Sequence, residues 1–367
     1  MFKTGAEILC ECLIKEGVEV IFGFPGGALL PLYDTLPRYP ELRHILVRHE
    51  QGAAHAADAY ARVTGKVGVC LATSGPGATN LVTGIANAHL DSVPMLAITG
   101  QVPTFFIGKD AFQEIDITGI TLPITKYNHL IRETGQIATA VREAMYIARA
   151  GRPGPVLLDI PRDVLEGQAE FIFPEKIDLP GYKPKLFGHP AQIKKAANLI
   201  NAAERPVIIA GHGVNISCAH AELKELAEKS QIPVVTTFLG VGCFPESHVL
   251  SYGWLGMHGM GYANKAVYNS DLLIAIGMRF DDRATGVLSS FAPHASIIHI
   301  DIDPAEIGKN LSVDVPIVGD VKNILQVMNS QINKREHIDW LSQLDEFRSM
   351  HPATEIREHE GLLPQYI

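Results

Sequence analysis

Cysteine is scarce in this sequence, and what there is forms no ligand or redox pattern. The five cysteines, at positions 10, 12, 70, 218 and 243, make no C-x-x-C pair and no Cys/His metal spacing. Cys10 and Cys12 lie in a segment of helical pattern, Lys3–Glu16, where residues two apart do not share a face. Buried free thiols in a reducing compartment are expected, which points to the cytoplasm. Excess positive charge is also lacking. The net charge is −9 and there is no Lys/Arg block, which argues against nucleic acid as a partner. Anionic ligands would have to be held locally, by loop amides, helix N-termini and single arginines. No apolar stretch approaches membrane-spanning length, and MFKTGAEIL meets a glutamate too soon for a signal-peptide core. No membrane partner is expected.

Apolar residues and turn formers are plentiful. At 367 residues and 47% hydrophobic, the chain can fill two cores. Its 33 glycines and 23 prolines imply many tight connections. Apolar runs alternate with helical patterns, which predicts an α/β fold of two consecutive open parallel-sheet domains. Strands are expected at Val20–Gly23, His44–Arg48, Val67–Thr73, Met95–Thr99 and Pro155–Asp159, with helices Ala6–Glu16, Gln51–Thr64 and Ala78–Leu90 between them. In Gln51–Thr64, Ala53, Ala54, Ala57 and Ala61 recur at helical spacing, a face that lets another backbone come close. The first domain spans residues 1–168. A linker follows over 169–189, where FIFPEKIDLPGYKPKLFGHP loses periodicity and carries four prolines. The second domain spans 190–334, with strands Pro206–Ala210, Pro233–Thr237, Leu272–Ile276 and Ser296–Ile302, closing near Gly319–Asp320 and a helix. Residues 335–367 are charged and helix-prone, and GLLPQYI reads as the approach to another element.

Three features of the first domain could carry chemistry. GFPGGALLPLYDTL, from Gly23, is a glycine-rich strand-to-helix turn without the GK[ST] of a P-loop or a good GxGxxG. Alone it is weak, although glycine lets backbone approach a ligand. Glu50 stands where a strand hands over to a helix. A surface acid favouring the helix dipole is the ordinary explanation of such a residue. The alanines around it argue for burial, which penalises a charged carboxylate and suits a group that shares a proton with a heteroaromatic nitrogen. TSGPGATN, Thr73 to Asn80, ends another strand, at the sheet edge where open α/β folds bind ligands. The convergence of all three weighs more than any one of them.

FGFPGGALLPLYD, RHEQGAAHAADAYAR, TSGPGATNLVTGIANA, TGQVP, DAFQEID and GRPGPVLLDIPRDV closely resemble the large catalytic subunit of acetohydroxyacid (acetolactate) synthases, thiamine-diphosphate enzymes that also hold FAD. The resemblance runs in order across nearly the whole chain. It implies that the first domain binds the aminopyrimidine of thiamine diphosphate and that Glu50 hydrogen-bonds its N1′ nitrogen, promoting loss of the thiazolium C2 proton. Pro25, Thr73, Gly77 and Asn80 are then expected to line that cofactor. Pyruvate would be decarboxylated and its two-carbon remainder joined to a second 2-ketoacid, giving 2-acetolactate from pyruvate or 2-aceto-2-hydroxybutyrate from 2-ketobutyrate, in branched-chain amino acid biosynthesis. Gly27 and Gln113 match residues at the reaction centre, and Gln113 can donate to a developing oxyanion. Ala28, Val102, Pro103, Phe112, Met257, Asp282 and Arg283 match walls of the channel. Arg283 would bind the second ketoacid's carboxylate in a fork, or else pair with Asp281 or Asp282. Arg162 stands where many members of that family have lysine, and is carried over as a channel residue only.

The second domain resembles the family's FAD domain. The turn AGHGV brings Gly211, His212 and Gly213, and the end of the strand Pro233–Thr237 with the residue after it brings Thr237 and Phe238. The run around HGMGYANKAVYNSDLLIAIGMRFDDRATG brings Met257, His258, Gly259, Gly277, Arg279, Asp281 and Arg283. DIDPAEIGKNLSVDVPIVGD and the residue after it bring Asp301, Ile302, Glu306, Asp320 and Val321, with Asp301 placed to take a ribose or adenine edge. Arg152, in GRPGP, matches a flavin contact from the first domain. FAD has no redox duty in carboligation. The family's third domain holds the diphosphate through Mg²⁺ with a GDG…N motif. No GDG occurs here, so no metal ligand is assigned and the chain alone is expected to be inactive. Cofactor sites shared between subunits imply a homodimer or higher oligomer, and the family implies a small regulatory subunit. Pyruvate oxidase is the nearest rival, glyoxylate carboligase and FAD-free acetolactate synthase are less favoured, and a non-catalytic flavin-binding module is the alternative from another class.

Overall fold

The computed structural model describes residues 1–352 and divides the chain into two compact units, Met1–Lys183 and a second from Pro184 on. The GLLPQYI segment lies outside the described residues. In the first unit the strands are β1 (Phe2–Thr4), β2 (Val20–Gly23), β3 (Arg43–Leu46), β4 (Gly68–Ala72), β5 (Met95–Gln101), β6 (Tyr127–Leu130), β7 (Pro155–Pro161) and β8 (Gln168–Glu170). Six of them form one sheet in the order β3-β2-β4-β5-β7-β6, with every neighbouring pair parallel. β1 and β8 pair antiparallel apart from it. The central strands GVCLA, MLAITGQ and PVLLDIP are buried along their whole length, as a parallel sheet covered on both faces requires.

Side chains alternate between the two covered faces. Leu71, Leu96, Ile98 and Leu158 pack with helices Gly5–Lys15 and Ile137–Arg149, while Cys70, Met95, Ala97 and Leu157 pack with Glu50–Thr64 and Val82–Leu90. Truncating one of these leucines to alanine would cost about 2–5 kcal/mol. The alanine face of Glu50–Thr64 brings backbones together: a Cβ on Gly68 would lie 2.0 Å from the Ala57 carbonyl oxygen. From β2 the chain steps one way to β3, then returns to the other side for β4. The turns leaving β2 and β4 therefore diverge and open a crevice at the carboxyl ends of neighbouring strands.

The second unit repeats the principle. Its strands β9 (Pro206–Ala210), β10 (Val234–Thr236), β11 (Ser251–Trp254), β12 (Leu272–Ile276), β13 (Ser296–Asp301) and β14 (Val315–Val318) form an all-parallel sheet in the order β11-β10-β9-β12-β13-β14. Numbered from its own start, that order is 3-2-1-4-5-6, with the strand order reversing between β9 and β12. Helix Ile338–Met350 docks on the sheet through buried Trp340, whose Nε1 donates to the Pro206 carbonyl at 3.1 Å.

Some expectations need correction. The helix expected at Ala78–Leu90 is two helices, Pro76–Thr79 and Val82–Leu90, because the Leu81 amide bonds to Ala78, three residues back, and tightens the turn there. Cys218 is exposed, with φ +51°, so not every thiol is buried. Cys10, Cys12, Cys70 and Cys243 are buried, and loss of hydration pushes their thiols up to about 12. Phe171, Phe173, Leu179 and Tyr182 pack against the first core. Among the described residues no helix is long and apolar enough to cross a membrane.

One carboxyl group interrupts the apolar interior. Asp159 on β7 is 1% exposed and accepts from Thr99 Oγ1 (2.7 Å) and Gln101 Nε2 (2.9 Å) on β5. Burial pushes it up to about 7, the two hydrogen bonds oppose that, and the charge of Asp116 adds to it. The folded state therefore holds this proton more tightly than the unfolded chain. Its stabilising effect is full below about pH 4 and lost as pH rises through about 7, a loss of about 4 kcal/mol. Asp159→Asn should flatten this slope, since Thr99 can accept where it now donates. Denaturant titrations from about pH 4 to pH 8 would show it, and an unchanged slope would count against the assignment.

Candidate active site

The crevice of the first unit is built from turns pressed together. After β2 the chain runs through Phe24, Pro25 and Gly26 into a short turn at Gly27–Leu29, and after β4 through Thr73, Ser74 and Gly75 into Pro76–Thr79. The Ala28 amide donates to Thr73 Oγ1 at 3.2 Å, and a Cβ on Gly26 would lie 2.4 Å from Thr73 Cβ. Pro25 and Gly27 are exposed, whereas Ala28 is buried.

Glu50 is the first residue of helix Glu50–Thr64, where its charge complements the helix dipole, and His49 caps that helix by accepting from the Gln51 amide. It is nevertheless 8% exposed. Asn80 Nδ2 donates to Glu50 Oε2 at 2.9 Å. Oε1 faces Gly77, on which a Cβ would come within 3.3 Å of that oxygen and 2.8 Å of Thr73 Cγ2. Any side chain at position 77 would crowd the space beside the carboxyl group. Tyr33 contacts His44 Nε2 at 3.3 Å, and burial, with the charge of Glu50, pushes its phenol up.

Gln113 reaches the same place by a different route. Its backbone has φ +58° and lies on Gly75, where a Cβ would be 2.8 Å from the Gln113 carbonyl oxygen. Glu50, Thr73, Gly77, Asn80, Ala28 and Gln113 are thus brought to one sheet edge. Val102 is buried and Pro103 half-buried in the turn after β5, while Phe112 is 88% exposed. Arg162, expected on the channel, and Arg152, expected at the flavin, have partners within the first unit. Arg162 is exposed and pairs with Glu166 at 2.8 Å. Arg152 precedes β7, at the amino ends of the strands, with Nε donating to Ser92 Oγ at 2.8 Å.

In the second unit the turns after β9 and β12 interlock. A Cβ on Gly211 would lie 2.2 Å from the Gly277 carbonyl oxygen, and one on Gly213 would lie 2.7 Å from Gly277 Cα. The Gly213 amide donates to the Gly277 carbonyl at 3.0 Å. His212 Nδ1 contacts the Leu239 carbonyl at 3.1 Å. Thr237 follows β10, and exposed Phe238 leans on Trp254. Asp301 closes β13, buried, with Oδ1 accepting from the Asp303 amide at 2.8 Å. Ile302 is half-buried and Arg279 also, while Glu306 is buried and pairs with Lys309 at 3.3 Å. Asp320 caps the helix that Val321 begins, and accepts from Ser217 Oγ.

Met257, Asp282 and Arg283 form a second, exposed group. Arg283 Nε is 3.8 Å from Asp282 Oδ2, with the two side chains 69% and 80% exposed, and an Arg283 guanidinium nitrogen is 3.7 Å from Met257 Sδ. A pair so exposed holds the guanidinium only weakly. Asp281 instead caps the short helix Asp282–Thr285. His258 is exposed, and Gly259 packs under the Trp254 carbonyl. Sequence reasoning overlooked Thr99, Gln101, Asp159 and Glu114. The first three had a signal, since Thr99 and Gln101 recur at period two in the apolar strand MLAITGQ and Asp159 is the one polar residue of PVLLDIP.

This fold and site define a class. The N-terminal TPP binding domain of thiamine pyrophosphate enzymes matches residues 3–120, and the central domain of the same enzymes matches residues 193–328. The chain belongs to the thiamine pyrophosphate (thiamine diphosphate) enzymes. Within that class it is similar to proteins named for one activity. It is 57% identical, over 94% of its length, to a Methanocaldococcus jannaschii protein named "Probable acetolactate synthase large subunit", covering 59% of that protein. It is 54% identical to the acetolactate synthase of Mycobacterium bovis, over 99% of this chain and 60% of that one. It is 52% identical to the acetolactate synthase large subunit of Corynebacterium glutamicum, over 99% of this chain and 59% of that one. The chain spans about three fifths of the length of these curated relatives.

Gly75 has φ +62° and ψ −124°, a backbone conformation that essentially only glycine adopts. Gly75→Ala should lower stability by about 1–3 kcal/mol and loosen the loop at Gln113, which rests on it. Thermal unfolding with deuterium uptake would record both, and an unperturbed loop would contradict this packing.

Proposed function

We propose that the polypeptide carrying this chain is an acetolactate synthase large subunit, which converts two molecules of pyruvate and a proton into 2-acetolactate and carbon dioxide. With 2-ketobutyrate as the second ketoacid the product is 2-aceto-2-hydroxybutyrate. The observation that carries this reading is Glu50: a nearly buried carboxyl group with one oxygen held by Asn80 and the other beside the bare backbone of Gly77. Such a cradle suits the edge of an aminopyrimidine. When bound, thiamine diphosphate supplies the carbon nucleophile and the electron sink.

The chain's own residues have narrower tasks. Glu50 would hold a proton at the ring nitrogen. Asn80 fixes the carboxyl group's orientation. Gly27, Pro25, Thr73 and Gly77 would give the cofactor a close backbone wall. Gln113 would donate to the ketoacid oxygen on which negative charge gathers, the contact that counts most when it is set in advance. Val102, Pro103 and Phe112 would line the approach, with Arg162 at its margin. In the second unit, weakly held Arg283 would take the second ketoacid's carboxylate, beside Met257 and Asp282.

FAD would lie against the crevice of the second unit, with Asp301 toward a ribose and the turns at Gly211–Gly213, Thr237, Gly277 and Arg279 around it. The 3-2-1-4-5-6 strand order and the buried acid at a strand's carboxyl end support this. Among the described residues no group of three His, Cys, Asp or Glu side chains is placed to hold a metal. A homodimer, from cofactor sites shared between subunits, and a small regulatory subunit, suggested by the words "large subunit" in the relatives' names, complete the reading.

In the natural polypeptide at its natural length, Glu50→Gln should lower acetolactate formation by about 10²–10⁴-fold and slow exchange of the thiamine C2 proton correspondingly. Wild-type exchange rates in the variant would remove the role given to Glu50. Bleaching of a bound flavin during turnover would point to a pyruvate-oxidising enzyme instead.

A further inference from the structure

Residues 108–116 carry an unusual backbone. Gly108, Asp110 and Gln113 have φ of +81°, +54° and +58°, the last two in a region that residues with a side chain rarely adopt. Contortion of this kind persists only where the surroundings over-determine it. Glu114 provides much of that constraint. Its carboxylate turns back on its own loop, Oε1 accepting from the Gly108 amide and Oε2 from the Ala111 amide at 2.9 Å, while the Glu114 amide donates to the Ala111 carbonyl at 3.0 Å. The Gly108 and Ala111 amides, with those of Lys109 and Asp110, hold the Glu114 carboxyl below the usual range, so it stays ionised near neutrality.

The loop's exit is braced from the core. Buried Gln101 donates through Nε2 to the Ile115 carbonyl at 2.8 Å, and its Oε1 accepts from the Val102 amide at 2.9 Å. Asp159 takes the remaining Nε2 hydrogen at 2.9 Å. The amide thus cannot turn over without breaking several bonds. Between these anchors, Gln113 rests on Gly75.

We propose that Glu114 is a positioning residue for Gln113: its carboxylate gathers the amides of residues 108–111 and so keeps the Gln113 backbone in its left-handed conformation against Gly75, with Gln101 bracing the far side. This inference rests on the reaction-centre role given to Gln113. Glutamine at 114 would offer one accepting oxygen and an NH₂ group that cannot accept, leaving an amide without its partner. Aspartate would keep the charge but fall short of spanning both amides.

Two measurements test this. By amide hydrogen exchange on the chain itself, whichever of Gly108 and Ala111 loses its accepting oxygen should exchange about tenfold faster in Glu114→Gln. Unchanged rates there and in Glu114→Asp would overturn the proposal. In the natural polypeptide at its natural length, Glu114→Gln should lower kcat about 10- to 100-fold, the size expected of a misplaced reacting group, with affinity for thiamine diphosphate within about twofold. In a Gln113→Ala background the same change should have almost no further effect. An equal loss in both backgrounds would show that Glu114 does not act through Gln113. A wild-type polypeptide with no thiamine-dependent turnover would sink the functional reading instead, and the exchange rates would still decide whether Glu114 holds the loop.

Discussion

The hydrogen bond from Asn80 Nδ2 to Glu50 Oε2 joins two demands that pull against each other. A carboxyl group withdrawn from water costs several kcal/mol unless partners replace its hydration. A group meant to exchange a proton with a ligand cannot be saturated by such partners. The structure meets both by giving one oxygen a fixed donor and leaving the other beside Gly77. The helix dipole at the start of Glu50–Thr64 adds compensation without occupying either oxygen. Everything around the crevice follows from holding those few atoms in place: Thr73 ties the first turn to the second, Gly75 receives the Gln113 loop, and the alanine face of the helix brings it down onto the sheet.

Parallel topology makes this arrangement available. Strands that all run the same way deliver every connecting turn to one edge, and the reversal of strand order beside β2 separates two of those turns enough to admit a ligand. Glu50, Asn80 and Gln113 are far apart in the chain and meet only because β3, β4 and β5 end together. The polar trio of Thr99, Gln101 and Asp159 lies one layer below, where it links the last turn of β5 to β7. Rigid backing of this kind suits a site whose donors must be aimed before the substrate arrives.

How much of this could be read from the residues depended on burial. Strands closed on both faces, such as PVIIA and LLIAI, are unbroken apolar runs and were legible with correct ends. β6, YNHL, is half-buried throughout and pairs at the sheet's margin, so its composition carries no strand signal; β1 and β8 are three-residue segments defined only by pairing with each other. Glu50 was legible because an acid amid alanines is anomalous. Glu114 was not, because an acid in a polar loop is ordinary and its meaning lies in two backbone amides that sequence does not display. Cys218 shows the same limit, since nothing local distinguishes it from its buried counterparts.

Glycine makes the point most sharply, since the same residue serves opposite ends in the two units. At Gly77 the missing side chain leaves room beside a carboxyl oxygen, room that a ligand's edge can use. At Gly211, Gly213 and Gly277 the missing side chains are consumed internally: two turns pack backbone to backbone, and the hydrogen bond between Gly213 and Gly277 seals them. A glycine-rich turn after a strand is therefore no measure of cofactor contact until the neighbour of its absent Cβ is known. For the second unit, the case for a dinucleotide consequently rests on the reversal of strand order between β9 and β12 and on buried Asp301 at the next strand's end, rather than on the glycines that first drew notice. Those glycines set how closely β9 and β12 can end together, and so how narrow the crevice beside them is.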